Sequence, residues 1–233
     1  MLPRVTRMAL TVLLIGTAIP VHAVAGDIAR FTNLGFSSDD SVFMFAQYGV
    51  EQETSTPYAE IYTVDVADND FVSGGRFSLS SDRTVSAGHD GRGALHSLLH
   101  EARTVVNEYD IDHTRQGRIV YALLNEDKPE DVIDFRDFNT GARYRAELIQ
   151  EQDTSLSDVR ARFHIELVRE TPDGGGRTYT IGLPEFYRDG VESYRIRQAI
   201  LSPDEQSLIF VVEMRRPHDT GASIRYMIET VRF

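Results

Sequence analysis

Along most of the chain, apolar and polar residues alternate over short stretches or run apolar for a few residues between turn formers, the signature of β-strands. These blocks predict strands near 31–36, 42–48, 59–66, 118–124, 131–138, 142–150, 160–169, 177–183, 193–201, 207–214 and 223–232. Asn139-Thr140-Gly141 reads as a tight hairpin turn and Pro172-Asp173-Gly174-Gly175-Gly176 as a longer one, so neighbouring strands run antiparallel. One segment has a different period. Leu95, Leu98, Leu99, Ala102, Val105, Val106 and Tyr109 recur at helical spacing and predict one amphipathic helix over 94–109, with Asp90 upstream as a capping residue. The Gly- and Ser-rich stretch 73–93 reads as a mobile connection leading into it.

A turn pattern occurs twice. Phe36-Ser37-Ser38-Asp39-Asp40 aligns without gaps on Leu201-Ser202-Pro203-Asp204-Glu205, and Phe43-Met44-Phe45 then falls on Leu208-Ile209-Phe210. A serine with an aspartate two residues on satisfies nearby backbone N–H groups and starts the next strand in fixed register. This resembles the Ser-Pro-Asp-Gly hairpin of TolB-type β-propellers, with Ser38 at the proline position and Asp40 and Glu205 at the glycine position. The predicted strands fall short of the roughly sixteen that a small propeller of four-stranded blades needs. The expected fold is therefore mainly β, with antiparallel sheets, propeller-blade-like hairpins at both ends and one helix; the alternative is a β-sandwich or an open barrel. If the sheet closes, the first and last hairpins lie side by side. Over residues 30–233, GFSSDDSVFMFAQYG, FRDFNTGARYRAEL and GVESYRIRQAILSPDEQSLIFVVEMRR are similar, in that order, to a family of predicted secreted bacterial proteins, domain of unknown function 2259. That resemblance implies export and a single domain; it transfers no catalytic residue.

The first residues support export directly. Arg4 and Arg7, the apolar run Ala9–Ile19 and the small-residue stretch Ala23-Val24-Ala25 have the order of a secretory signal peptide. Cleavage is expected near Ala25, leaving 26–233 as one β-rich domain. The apolar run is too short for a hydrocarbon core about 30 Å thick, and no later segment is longer. The chain has no cysteine, which removes disulfides, thiolate metal sites and a catalytic thiol, and suits a periplasmic or secreted bacterial protein that relies on its core. The formal net charge of −12 disfavours nucleic acid and anionic lipid as partners. Lys128 is the only lysine among the 24 lysines and arginines. Guanidinium recognition of carboxylates and a GC-rich coding bias both produce that preference.

Candidate chemistry is sparse. His96 and His100 stand one helical turn apart with Glu101 adjacent, a spacing that places two imidazoles on one metal, but His-x-x-x-His-Glu is neither zincin order and both residues fall on the polar face. The run Asp65-Val66-Ala67-Asp68-Asn69-Asp70 lacks the order of a calcium loop and reads as a strand-ending turn. Gly88-His89-Asp90-Gly91-Arg92-Gly93 offers backbone N–H groups to an anion without matching a phosphate-loop motif. No Gly-x-Ser-x-Gly occurs, and the absence of tryptophan counts against sugar stacking, although the ten tyrosines offer substitute rings. Phe43, Phe45, Leu208 and Phe210 read as core. No cofactor is expected. The expected function is a non-enzymatic binding or interaction module for a protein or small-molecule partner; the alternatives are an exported hydrolase or metal-dependent enzyme, and a structural envelope protein.

Overall fold

Fourteen strands form three antiparallel sheets in the computed structural model, which describes residues 27–124, 130–153, 159–218 and 221–233. The expected leader, residues 1–25, lies outside the described residues. The first sheet contains β1 (Arg30–Ser37), β2 (Val42–Glu51), β3 (Thr56–Asp65), β4 (Asp70–Ser80) and the short β5 (Ile111–Asp112), in the order β4-β3-β2-β1-β5. Helices α1 (Arg92–Glu101) and α2 (Arg103–Glu108) fall between β4 and β5. After β6 (Arg118–Ala122), the second sheet is the meander β7 (Val132–Arg136), β8 (Arg143–Asp153), β9 (Arg160–Glu170) and β10 (Gly176–Gly182), with the short β11 (Arg188–Asp189) against β9. The third sheet joins β6 to β12 (Ser193–Leu201), β13 (Ser207–His218) and β14 (Gly221–Arg232) in the order β14-β13-β12-β6.

The burial pattern explains the layering. Along β13, Leu208, Phe210, Val212 and Met214 join one core with Tyr144, Phe163, Ile165 and Leu167 of the second sheet. The intervening Ile209 and Val211 join a different core with Phe36, Phe43 and Phe45 of the first sheet. The third sheet is therefore the middle layer, apolar on both faces, which is why β13 reads as a continuous apolar run. The same logic holds for β2: Phe43 and Phe45 face the third sheet, while Met44, Ala46 and Tyr48 pack with Leu95, Leu98 and Val105 of the helical segment. The stack runs helices, first sheet, third sheet, second sheet.

Mainly antiparallel β architecture is as expected, and the described strands close no barrel. Three expectations change. The first and last hairpins do not share a sheet; they face each other across a core. The stretch expected as a mobile connection begins as β4, whose Tyr62/Val64 irregularity against β3 accommodates Gly74 and Gly75. The single helix over 94–109 is two, because Ala102 separates them at φ −71°, ψ −4° while the apolar face continues across the break.

The repeated turn is one structure built twice. Ser37 Oγ donates to Asp39 Oδ1 (2.7 Å) and accepts from Val42 N (2.9 Å). Ser202 Oγ donates to Asp204 Oδ1 (2.5 Å) and accepts from Ser207 N (2.9 Å). Asp40 and Glu205, at the glycine position of the motif, both take φ 61°, the left-handed conformation that such a turn requires. The hydrogen bonds from Ser37 and Ser41 hold the Asp39 carboxyl at about 2, well below its ordinary 3.8.

The free edge of β14 is covered. Ile224 N donates to Asp27 O (2.8 Å) and Ala29 N to Ile224 O (3.1 Å). Tyr226 N donates to Gln47 Oε1 (2.7 Å) and Thr230 N to Asn69 Oδ1 (2.8 Å). The first sheet thus satisfies backbone groups that would otherwise template another chain.

Candidate functional site

Several charged side chains of this protein tie the layers together. The largest tie lies where hairpin turns of all three sheets meet. The segment 113–118, leading into β6, crosses this end of the stack. Its Arg115 Nη2 reaches Asp40 Oδ2 in the first turn at 2.7 Å. Its Arg118 donates from Nε and Nη2 to Asp137 in the β7–β8 turn (3.1 and 2.9 Å) and from Nη2 to Glu205 in the third-sheet turn (2.8 Å). Asp137 is buried and also accepts from Thr140 Oγ1 (2.6 Å) and the N–H groups of Asn139 and Thr140. Burial alone would raise its pKa; these donors, Arg118 foremost, outweigh it and hold the carboxyl at about 2.

A second tie joins Asp27, Tyr58 and Arg225. The Arg225 guanidinium meets Asp27 Oδ2 at 2.5 Å and lies over the Tyr58 ring, whose hydroxyl donates to Asp27 Oδ1 (3.0 Å). Burial pushes the Tyr58 phenol up, well above its usual value. The third tie centres on buried Glu229 of β14. Asn69 Nδ2 donates to its Oε2 (2.5 Å) and Arg188 Nη2 stands 3.8 Å from its Oε1. Burial raises the Glu229 carboxyl, opposed by the Asn69 hydrogen bond and the Arg188 charge. Each tie bridges two or more sheets, so these buried acids and arginines serve packing.

The residues that sequence reasoning singled out lie elsewhere. His96 and His100 are both exposed on α1, and among the described residues no three of His, Asp and Glu come together as a metal-holding group. Asp65 Oδ1 accepts from Ala67 N (2.9 Å) and Asp68 N (3.0 Å), so the acidic run is a strand-ending turn, as expected. Gly88, His89 and Asp90 line a concavity of about 410 Å³ together with Arg30 and Glu51. There Asp90 Oδ1 accepts from Arg92 N (3.1 Å) and Oδ2 lies 3.3 Å from the Arg92 guanidinium, so the chain's own carboxylate already occupies the start of α1.

The larger concavity, about 570 Å³, opens on the second sheet away from the middle layer, at the end of the β7–β8 hairpin. Cross-strand register builds it. The turn places Arg136 directly opposite Arg143, Arg143 opposite Glu170, and Arg145 between Asp134 and Val168. Arg145 Nη1 pairs with Asp134 Oδ2 at 2.8 Å. The side chains of Arg136 and Arg143 make no hydrogen bond or ion pair among the described residues; the Arg136 guanidinium instead lies 5.7 Å from the ring of Phe138, a side chain 86% exposed at the tip of the turn. Directly opposed like charges weaken a sheet. Sequence reasoning missed this pair, although the Asn139-Thr140-Gly141 turn fixes the register that makes positions 136 and 143 neighbours.

Among the described residues no helix is long and apolar enough to cross a membrane. No curated protein matches the chain. A family model described as predicted secreted protein (DUF2259) matches residues 44–232, which include the concavity, the Arg118 tie and the second copy of the repeated turn. The chain therefore belongs to the DUF2259 family of predicted secreted proteins.

Proposed function

We propose that the protein is a non-enzymatic binding module of the periplasm or the extracellular space, released from its leader near Ala25, and that the β7–β9 concavity with Phe138 beside it is its binding surface. The observation that carries this reading is the unpaired Arg136–Arg143 couple. Arg115, Arg118, Arg145, Arg160, Arg162 and Arg225 each have a carboxylate partner, whereas the Arg136 and Arg143 side chains, directly opposed in register, make no ion pair among the described residues. Two guanidiniums set opposite one another without an ion pair cost stability in the free protein, and a carboxylate brought against them relieves that cost. An exposed aromatic beside unpaired arginines is the composition of an interface hot spot.

Site-specific photo-crosslinking tests this in the exporting cell. With p-benzoylphenylalanine in place of Phe138, one discrete adduct is expected; with the same group in place of His96, on the opposite side of the stack, none is expected. Adducts of equal yield from both positions, or from neither, contradict the reading.

A further inference from the structure

Resting on that binding surface, we infer that its occupant is a partner protein presenting an acidic side chain next to an apolar one, with the carboxylate held between Arg136 and Arg143 and the apolar residue against Val168 and Phe138. Charge carries the first half. The acids at the concavity are Asp134, which is committed to Arg145 at 2.8 Å, and Glu170, which lies opposite Arg143 in register without forming an ion pair with it. Two guanidiniums on facing strands thus keep their donors unused, and a planar fork is the group that binds carboxylates bidentately. The chain as a whole, at a formal net charge of −12, repels extended polyanions, so a single local carboxylate fits where a nucleic acid or an anionic membrane does not.

Shape carries the second half. A small molecule uses the hollow alone, whereas Phe138 stands beside the hollow and is 86% exposed, with the Arg136 guanidinium 5.7 Å from its ring. A protruding ring next to a depression is matched by a protein surface that has the complementary depression and protrusion. The position of Arg136 also depends on the turn. Its Nη2 lies 3.8 Å from where a side chain on Gly141 would begin, and Gly141 takes φ 77°, so the guanidinium rests over a residue that has none.

The test uses the whole folded chain and two peptides, acetyl-Leu-Glu-Phe-Glu-Leu-amide and its Gln-for-Glu counterpart, with hydrocinnamate as a small organic acid, each titrated while backbone amide resonances are followed. The Glu peptide is expected to shift resonances of 134–145 and 168–170. The Gln peptide should bind more weakly by about tenfold or more, the loss expected when charge-assisted hydrogen bonds are removed. The double substitution Arg136→Gln/Arg143→Gln, with a melting temperature no lower than that of wild type, should remove the difference between the peptides. Equal binding of the two peptides overturns the carboxylate inference while position-specific crosslinking still supports the surface. Tighter binding of hydrocinnamate than of the Glu peptide overturns the protein partner in favour of a free organic acid. Shifts at none of these residues with any probe overturn the inference.

Discussion

Replacing Phe210 with alanine is expected to destabilise the protein by about 3–5 kcal/mol, at the upper end of that range for a buried phenylalanine. Phe210 is fully buried in the middle strand of the middle layer and packs against the second sheet, while its neighbours Ile209 and Val211 pack against the first. A cavity in an outer layer shrinks when the neighbouring surface moves inward. The third sheet is held on both faces, so the space left by the ring stays open and the full cavity cost applies. Urea unfolding should show a lower midpoint at unchanged slope. Ile119→Ala serves as control: that side chain is 57% exposed, and a change within about 0.5 kcal/mol is expected. Equal effects from the two substitutions would contradict the layering.

Asp137→Ala is expected to cost about 2–4 kcal/mol at neutral pH, because it strips Arg118 of its main partner and leaves the N–H groups of Asn139 and Thr140 without an acceptor. The effect should depend on pH in a definite direction. The folded-state pKa of Asp137 lies at about 2 against an ordinary 3.8, so its stabilisation is fully present above the ordinary value and is lost as pH falls through the folded one. The stability gap between wild type and variant should therefore narrow from just above pH 4 downward and be largely gone near pH 2. A gap that stays constant across that window would mean that the Asp137 carboxylate is not what clamps the β7–β8 turn to Arg118 of the third sheet.

The two strands buried on both faces show how the fold was written in the chain. VFMFAQYG in β2 and SLIFVVEM in β13 lack the alternation of a half-exposed strand because each has a core on either side. The repeated turn was equally legible, since its serine and aspartate act within five residues of each other. β4 was hidden by composition: it is an edge strand, largely exposed, and Gly74-Gly75 with its serines reads locally as a loop. The break at Ala102 leaves no mark because alanine suits both helices and the apolar face runs straight through.

For the site, locality again decides. The facing of Arg136 and Arg143 follows from one tight turn and was within reach of the sequence. Asp27 with Arg225, and Asn69 with Glu229, meet only because the ends of the chain pack together, and no local pattern announces them. The apparent candidates His96 and His100 had helical spacing, but among the described residues no third ligand joins them to complete a site.

We propose that arginine has two uses in this molecule, with Arg118 spent on holding the sheets together and Arg143 kept for a partner. The most direct measurement is the yield of the adduct from p-benzoylphenylalanine at position 138 when Arg143→Gln is added to a chain whose melting temperature stays within about 2 °C of wild type. The adduct should disappear from a chain that is still folded. Full crosslinking in the stable Arg143→Gln chain would contradict the account.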